Sequence, residues 1–175
     1  MRTGARIALG LLAAAVAAPL PAADSRDPRP ELVVHLLEYL RWPADGQNKA
    51  RTITLCVDAS PGQFKRFGEL GRALKLSVPV EIRPLPEHDQ DLAPCRIVYT
   101  DAANSDAILA LAYRRGQAAV VLIGSDERAI DFGADIAIPI KNQTTSLNIN
   151  LAALQRRGIG VSSRLLRLAR IVYRE

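Results

Sequence analysis

The chain alternates short apolar runs with segments whose apolar residues recur at helical spacing. Four of the runs are nearly continuous and rich in β-branched residues, as expected of strands buried on both faces; they cover residues 52–57, 78–83, 96–100 and 118–123. Helical spacing returns in segments 63–76 and 104–115. The second segment has a potential cap at Asn104 or Ser105 and a stop at Gly116. Strands that alternate with helices predict a mainly parallel α/β sheet with helices on both faces.

The two ends of this pattern differ from its middle. Apolar residues recur at helical spacing over residues 30–41, which predicts an amphipathic first helix that ends before Pro43. Near the other end, residues 134–141 and 144–149 have strand character and flank a polar Asn-Gln pair, which predicts a β-hairpin. We therefore expect a three-layer sandwich: a mixed, mostly parallel sheet flanked by helices, with a C-terminal β-hairpin and terminal helices.

Residues 147–169 combine a strand with two helices and their boundaries. Asn150 is placed to cap the first helix, Gly158 to end it with a positive φ angle, and Ser162 to cap the second. The second helix carries a basic stripe within about 120° of arc. The stripe is Arg164, Arg167, Arg170 and Arg174, opposite Leu165, Leu168, Ala169 and Val172. A packed helix with a solvated outer face is the favoured interpretation, and a surface for an acidic partner or for lipid is the alternative.

The first 23 residues have the features of a secretory signal peptide. Arg2 and Arg6 precede an apolar run over residues 7–18, and Ala22 and Ala23 lie near a cleavage site. No cysteine follows the run, which excludes lipid attachment at a new N-terminal cysteine. Export is the expectation, and a retained N-terminal anchor is the alternative.

Cleavage after Ala23 removes two of the 23 basic side chains and none of the 18 acidic ones, so the exported chain has a net charge of +3. This small excess does not indicate nucleic-acid binding, and we expect no nucleic-acid partner. A disordered segment is expected over residues 24–29, followed by a single domain over residues 30–175. The predicted location is the periplasm, as a soluble protein without direct membrane insertion.

Cys56 and Cys95 are the only two cysteines. An even number in an exported chain favours one disulfide, and two buried free thiols are the alternative. The predicted strands place Cys56 late in one strand and Cys95 at the start of another, so neighbouring parallel strands would separate them unless the register slips. No C-x-x-C spacing occurs, which argues against a catalytic redox pair.

Residues that could support catalysis or bind a metal ion are scarce. His35 and His88 lie in no ligand or nucleophile motif, and the acidic stretch 87–91 is better interpreted as a solvated loop than as a cation site. Ser162 and Ser163 are the accessible nucleophile candidates, but both are better explained as helix caps. We therefore predict a protein that is not an enzyme and needs no metal or other cofactor.

Four motifs in order carry a resemblance to a known family. They are LLEYLRWP at residues 36–43, TLCV around Cys56, PCRIVYT around Cys95, and the block at residues 147–169. In these motifs the chain resembles the YfiR family of periplasmic proteins, from about Pro30 to the C-terminus. The resemblance implies a disulfide between the two cysteines; a second cysteine pair found in some relatives is absent here.

The resemblance also implies a regulatory function. YfiR-like proteins bind the periplasmic sensor portion of an inner-membrane diguanylate cyclase and hold it inactive, which lowers cyclic-di-GMP and biofilm formation. We expect the same function here, with a homodimer as a further possibility. The candidate partner-binding residues are Trp42, Pro43, Leu147, Asn148, Arg164, Arg167 and Arg170.

Departures from the family pattern leave other partners open. Leu147 and Asn148 stand where relatives usually have Phe-Glu, and Ala134 follows Gly133 where many have paired glycines. If the hairpin contacts the partner, its lost charge would shift specificity, for example to a histidine kinase or another receptor. A periplasmic small-molecule-binding protein is a further alternative, because it would also combine an α/β fold with an absence of catalytic motifs.

Overall fold

A computed structural model describes residues 27–43, 52–87 and 92–173. The predicted signal peptide, residues 24–26 of segment 24–29, His88 and Arg174 lie outside the described residues. Within the described ranges, no helix has both the length and the apolar character needed to cross a membrane.

The described residues form five α-helices, eleven strands and two short 3-10 helices. The helices are α1 (Arg29–Leu36), α2 (Pro61–Ala73), α3 (Ser105–Arg115), α4 (Leu151–Arg156) and α5 (Ser163–Leu168). The strands are β1 (Leu40–Arg41), β2 (Ile53–Asp58), β3 (Val80–Pro84), β4 (Ile97–Thr100), β5 (Val121–Gly124), β6 (Ile136–Ala137), β7 (Ile140–Lys141), β8 (Thr144–Thr145), β9 (Asn148–Asn150), β10 (Gly160–Val161) and β11 (Ile171–Tyr173). The 3-10 helices are Leu37–Tyr39 and Glu127–Ile130.

Seven of these strands form the central sheet, in the order β11-β9-β6-β5-β4-β2-β3. All neighbours are parallel except β6 and β9, which pair antiparallel with Ile136 opposite Ile149. The predicted mixed, mostly parallel sheet is therefore confirmed. The chain runs from β2 to β3 on one side and then to β4 on the other, which is the winding of a doubly wound α/β fold.

Side chains of each central strand alternate between two buried faces, which explains the continuous apolar runs. In β5, Val121 and Ile123 contact the larger core cluster, and Leu122 contacts the smaller one. Helices α1, α2, α4 and α5 contribute to the larger cluster, while α3 and the second 3-10 helix contribute to the smaller. Helices thus cover both faces of the sheet, as the three-layer prediction requires.

The predicted caps lie at the helix ends. The side chains of Asn104, Asn150 and Ser162 accept hydrogen bonds from backbone N–H groups in the first turns of α3, α4 and α5, at 2.8, 2.9 and 3.3 Å. Gly116 and Gly158 follow α3 and α4 with φ angles of 54° and 72°.

The first helix is shorter than predicted. It ends at Leu36, and after the 3-10 turn Leu40 takes an extended conformation with φ −102° and ψ 143°. Leu40 and Arg41 then pair antiparallel with β10. Helical spacing over residues 30–41 was misleading for its last part. Leu40 is buried, but it belongs to a strand, and the partner of that strand is a segment far away in sequence.

The predicted hairpin is divided between two sheets. Asn142 and Gln143 form its two-residue turn with φ angles of 49° and 63°, and this turn joins β7 to β8. Further from the turn, β6 and β9 pair inside the central sheet. Pro139 lies between the two pairings: its carbonyl accepts the N–H of Ser146 at 3.0 Å, but because it has no N–H it cannot donate a bond in return.

The prediction of a long terminal helix is wrong. Helix α5 ends at Leu168, and Ala169 is extended with φ −71° and ψ 134°. Residues 171–173 then form β11, an edge strand parallel to β9. The β-branched Ile171 and Val172 favour a strand, so Arg170 does not share a helix face with Arg164 and Arg167.

The predicted Cys56–Cys95 disulfide is present, with the two Cα atoms 5.7 Å apart. The expected separation by strand register does not arise, because Cys95 lies in a turn before β4. In that turn its N–H donates to the carbonyl of Leu92 at 2.8 Å. Cys56 is in β2 opposite Val98, and both cysteines are buried in the smaller core cluster.

Candidate partner-binding surface

Two of the sequence motifs meet in a small antiparallel ribbon formed by β1 and β10. Leu40 lies opposite Val161, and Arg41 lies opposite Gly160. The N–H of Ser162 donates to the carbonyl of Tyr39 at 2.9 Å, which extends the contact by one residue. The motif around residues 36–43 and the motif around residues 158–163 are therefore one structural unit.

Trp42 and Pro43 leave this ribbon in different environments. Trp42 is half-buried against the larger core cluster, and its indole Nε1 is buried without a hydrogen-bond partner among the described residues. Pro43 is exposed and lies beside Gly158. A Cβ atom at Gly158 would be 3.6 Å from Pro43 Cβ and Cγ, which is ordinary contact, but its φ of 72° disfavours any other residue.

Several exposed arginines lie on the ribbon or on the segment that follows it in the chain. Arg41 lies on β1, Arg164 and Arg167 on α5, and Arg170 between α5 and β11, and all four are exposed. Within the described ranges, no acidic side chain forms an ion pair with any of them. The surface formed by the ribbon, Trp42, Pro43 and helix α5 is therefore basic, and we call it the ribbon surface.

Exposed apolar side chains accompany this charge. Leu168, the last residue of α5, is 65 % exposed, and Tyr173 on the edge strand β11 is 38 % exposed. Leu168 belongs to the ribbon surface through α5, and an exposed leucine beside arginines suits the binding of a protein partner.

Leu147 and Asn148 do not belong to this surface. They are buried, with 5 % and 0 % exposure, so the prediction that they contact a partner directly is wrong for this conformation. Leu147 contacts the larger core cluster, and Asn148 begins β9 between β6 and β11. The Asn148 amide has no hydrogen-bond partner among the described residues.

A buried ion network, which the sequence analysis did not predict, includes Arg157, the residue before Gly158. Asp135 precedes β6, and its carboxylate binds Arg115 from the end of α3 and Arg157 from the end of α4. It also accepts the backbone N–H of Leu122 at 2.9 Å. Since Arg157 directly precedes Gly158, the network fixes the turn that contacts Pro43.

Burial dominates the electrostatics of this network. It raises the pKa of the Asp135 carboxyl, while the two guanidinium groups and the Leu122 N–H act in the opposite direction. Burial also lowers the pKa of Arg115 against the attraction of Asp135. One carboxylate thus neutralises only one of two buried cations.

A separate cavity of about 370 Å³ lies at the carboxyl ends of β4 and β5. It is lined by the first turn of α3 and by the second 3-10 helix, and the Arg128 guanidinium lies 5.1 Å from the centre of the Phe132 ring. Among the described residues, no group of three or more His, Cys, Asp or Glu side chains is arranged to bind a metal ion.

The serines and the described histidine are not arranged as a catalytic site. The Ser162 hydroxyl accepts the N–H of Leu165 as a cap, and Ser163 begins α5. His35 lies in the last turn of α1, on the first element of the described chain.

The fold and the ribbon surface define a doubly wound α/β protein with a candidate protein-binding face. The chain belongs to the YfiR/HmsC-like family (DUF4154), whose model matches residues 29–170. This is a regulatory rather than a catalytic family, associated with periplasmic control of diguanylate cyclase signalling. No curated protein matches the sequence.

Solved structures support the fold. A conserved domain protein from Vibrio cholerae O1 biovar eltor superimposes with a TM-score of 0.58 at 14% identity, over 83% of this chain and 60% of the other. An ABC domain from Streptococcus pneumonia, in complex with L-Trp, superimposes with a TM-score of 0.51 at 13% identity, over 70% of this chain and 55% of the other. The chain thus spans little more than half the length of either structure.

Proposed function

We propose that this protein is a periplasmic repressor that binds the sensor portion of an inner-membrane diguanylate cyclase through the ribbon surface. By holding the sensor in its inactive state, it lowers cyclic-di-GMP and biofilm formation. The observation that carries the proposal is the joining of the Trp-Pro motif to the Gly158–Ser162 segment in one exposed, basic ribbon. Export to the periplasm belongs to the same proposal and is supported by the disulfide and the family.

Repression requires a difference in affinity between two states of the sensor. The repressor shifts the equilibrium only by the ratio of its affinities for the inactive and active conformations. Unpaired arginines on the ribbon surface suit an acidic face of the sensor and accelerate the encounter. Trp42, which is half-buried at the end of the ribbon, supplies an aromatic anchor through the exposed part of its ring.

The test begins with a pull-down of the protein from detergent-solubilised membranes of its own host, with mass spectrometry of the retained proteins. The recovered cyclase is then purified, and its affinity is measured against wild type and variants. Trp42→Ala is expected to weaken binding by about 10-fold or more, as truncation of an aromatic anchor does. The double change Arg164→Glu, Arg167→Glu is expected to slow association and to reduce its dependence on salt.

A matched control changes the same charge elsewhere. Lys65 and Arg72 are exposed on α2, which is not part of the ribbon surface, and the double change Lys65→Glu, Arg72→Glu should leave affinity unchanged. If the two double changes weaken binding equally, the effect comes from the net charge of the protein and not from the ribbon surface. If the pull-down recovers a histidine kinase or another receptor and no cyclase, that protein is the partner, and the protein is an adaptor rather than a cyclase repressor.

A small-molecule-binding function is the second candidate. The cavity at the carboxyl ends of β4 and β5 lies where doubly wound sheets bind ligands, and one structure of similar fold holds L-Trp. Calorimetric titration of the protein with L-Trp, compared with Phe132→Ala, tests this alternative. Binding that Phe132→Ala abolishes would favour it, and no heat with wild type would reject this ligand.

A further inference from the structure

The winding of the sheet creates a second position of interest, distinct from the ribbon surface and from the cavity. The chain continues from β2 to β3 on one side and then crosses to β4 on the other. The carboxyl ends of β2 and β4 therefore flank a topological switch point, where open α/β sheets bind ligands. The N–H of Asp101 donates to the carbonyl of Asp58 at 2.8 Å and holds these two ends together.

A side chain from the segment before α1 fills this position. The Asp27 carboxylate accepts Arg29 Nε at 2.9 Å and lies 2.6 Å from Arg29 Nη2, which is a bidentate arrangement. It also accepts Gln63 Nε2 at 2.6 Å and the backbone N–H of Arg29 at 2.9 Å. The other guanidinium nitrogen, Nη1, lies 3.2 Å from Asp101. These donors form a carboxylate-binding site that the chain occupies with its own carboxylate.

Two polar atoms at this site have no hydrogen-bond partner among the described residues. One is the hydroxyl of Tyr99, a residue with no solvent exposure, and the other is the buried Oε1 of Gln63. The Tyr99 ring lies 5.1 Å from the ring of Phe67, one helical turn after Gln63 on α2. The charges of Arg29, Asp101 and Asp27 act on the Tyr99 hydroxyl. Burial raises the pKa of this hydroxyl, so it stays protonated and available as a donor. Asp27 leaves that donor unused.

We propose that this switch-point site binds a small free carboxylate, and that the Asp27 side chain is its internal, displaceable occupant. Arg29 provides the bidentate contact, Gln63 the amide donor, and Tyr99 the hydroxyl donor that Asp27 does not engage. Asp27 can leave because its side chain is 22 % exposed and the residue lies before α1, outside any helix or strand. The enclosure of Tyr99 restricts the ligand to a small molecule.

Acetate is the probe, and its binding is followed by saturation-transfer NMR and by thermal unfolding, with chloride at equal ionic strength as reference. The Asp27→Ala variant should bind acetate at least about 10-fold more tightly than wild type, because a tethered carboxylate no longer competes. Acetate should also restore much of the thermal stability that Asp27→Ala loses. In this background Tyr99→Phe should weaken acetate binding by about 5- to 10-fold, the effect of one buried hydrogen bond.

The exposed Asp131 provides a control, since Asp131→Ala also removes one carboxylate but should gain no acetate binding. Adding Arg29→Met to Asp27→Ala should abolish binding. If acetate stabilises Asp27→Ala no more than chloride does, or stabilises Asp131→Ala equally, the proposal is wrong. Should Asp27→Ala fail to fold, Asp27→Ser replaces it, because serine keeps a small polar side chain but leaves the donors of Arg29 and Gln63 without a carboxylate. Failure of acetate to bind that variant would likewise overturn the proposal.

Discussion

The buried ion network of Asp135, Arg115 and Arg157 predicts a large loss of stability when its one carboxylate is neutralised. Asp135 is fully buried, and the side chains of Arg115 and Arg157 are only 6% and 7% exposed. In Asp135→Asn the volume is almost unchanged, so packing is kept while the negative charge is lost. An amide also presents N–H groups to guanidinium groups that can only donate. Both arginines would then be buried without a counterion.

The cost follows from that geometry. Removing one partner of a buried ion pair destabilises a protein by about 3–5 kcal/mol, because the remaining charge is uncompensated. A protein of this size has a total stability of about 5–15 kcal/mol, so the loss is a large fraction. In a domain of about 150 residues it corresponds to a fall in Tm of about 6–20 °C.

Urea unfolding followed by far-UV circular dichroism measures the effect directly. Asp131→Asn, at an exposed position, is the matched control and should stay within about 0.5 kcal/mol of wild type. Adding Arg157→Met to Asp135→Asn should recover part of the loss, because one of the uncompensated cations is removed. A loss below about 1 kcal/mol in Asp135→Asn would refute the view that this carboxylate holds the two arginines in place.

Two further perturbations test the core. The double change Cys56→Ala, Cys95→Ala removes a bridge between residues 39 positions apart. It should lower the free energy of unfolding, measured by urea titration, by about 4 kcal/mol. Unchanged stability and unchanged partner affinity would rule out redox control of the repressor. At Gly124 a Cβ atom would be 2.4 Å from the Ala129 Cβ, so Gly124→Ala should cost about 1–3 kcal/mol in thermal unfolding, whereas Gly62→Ala has open space and should be neutral or stabilising.

The central sheet was predictable because its strands are buried on both faces. Ile97–Thr100 and Val121–Gly124 are buried at every position, and such runs have few structural interpretations besides a parallel strand. Asn104, Asn150 and Ser162 were also predictable, since a cap depends on backbone groups within three residues. In both cases the determining interaction is local or is repeated along the whole element.

The ends of the fold were not predictable in this way. Leu40 and Arg41 become a strand through pairing with residues 160–161, and β11 forms by joining β9. Helical spacing in a short segment does not distinguish a helix from a strand whose partner lies far away in sequence. Ile171 and Val172 were the available signal, because two adjacent β-branched residues argue against continuing α5.

The buried network was missed for a different reason. Arg115 and Arg157 end helices, where a basic side chain is normally assumed to be solvated and to interact with the helix dipole. The signal lay in Asp135, which stands inside the apolar run from Ala134 to Ile138. A lone carboxylate in a buried strand requires cationic partners, and their identity follows only from the fold.

Some residues of the two joined motifs are needed to build the ribbon, and others are free to contact a partner. Gly158 is required by its positive φ angle, and Ser162 caps α5 and bonds to the carbonyl of Tyr39. These positions would be the same in a protein that binds nothing. The side chains of Trp42 and of the exposed arginines serve no such purpose, since the pairing of β1 with β10 uses neither, and within the described ranges no acidic side chain forms an ion pair with Arg41, Arg164 or Arg167. Trp42 and the basic face are therefore where a partner should first be sought.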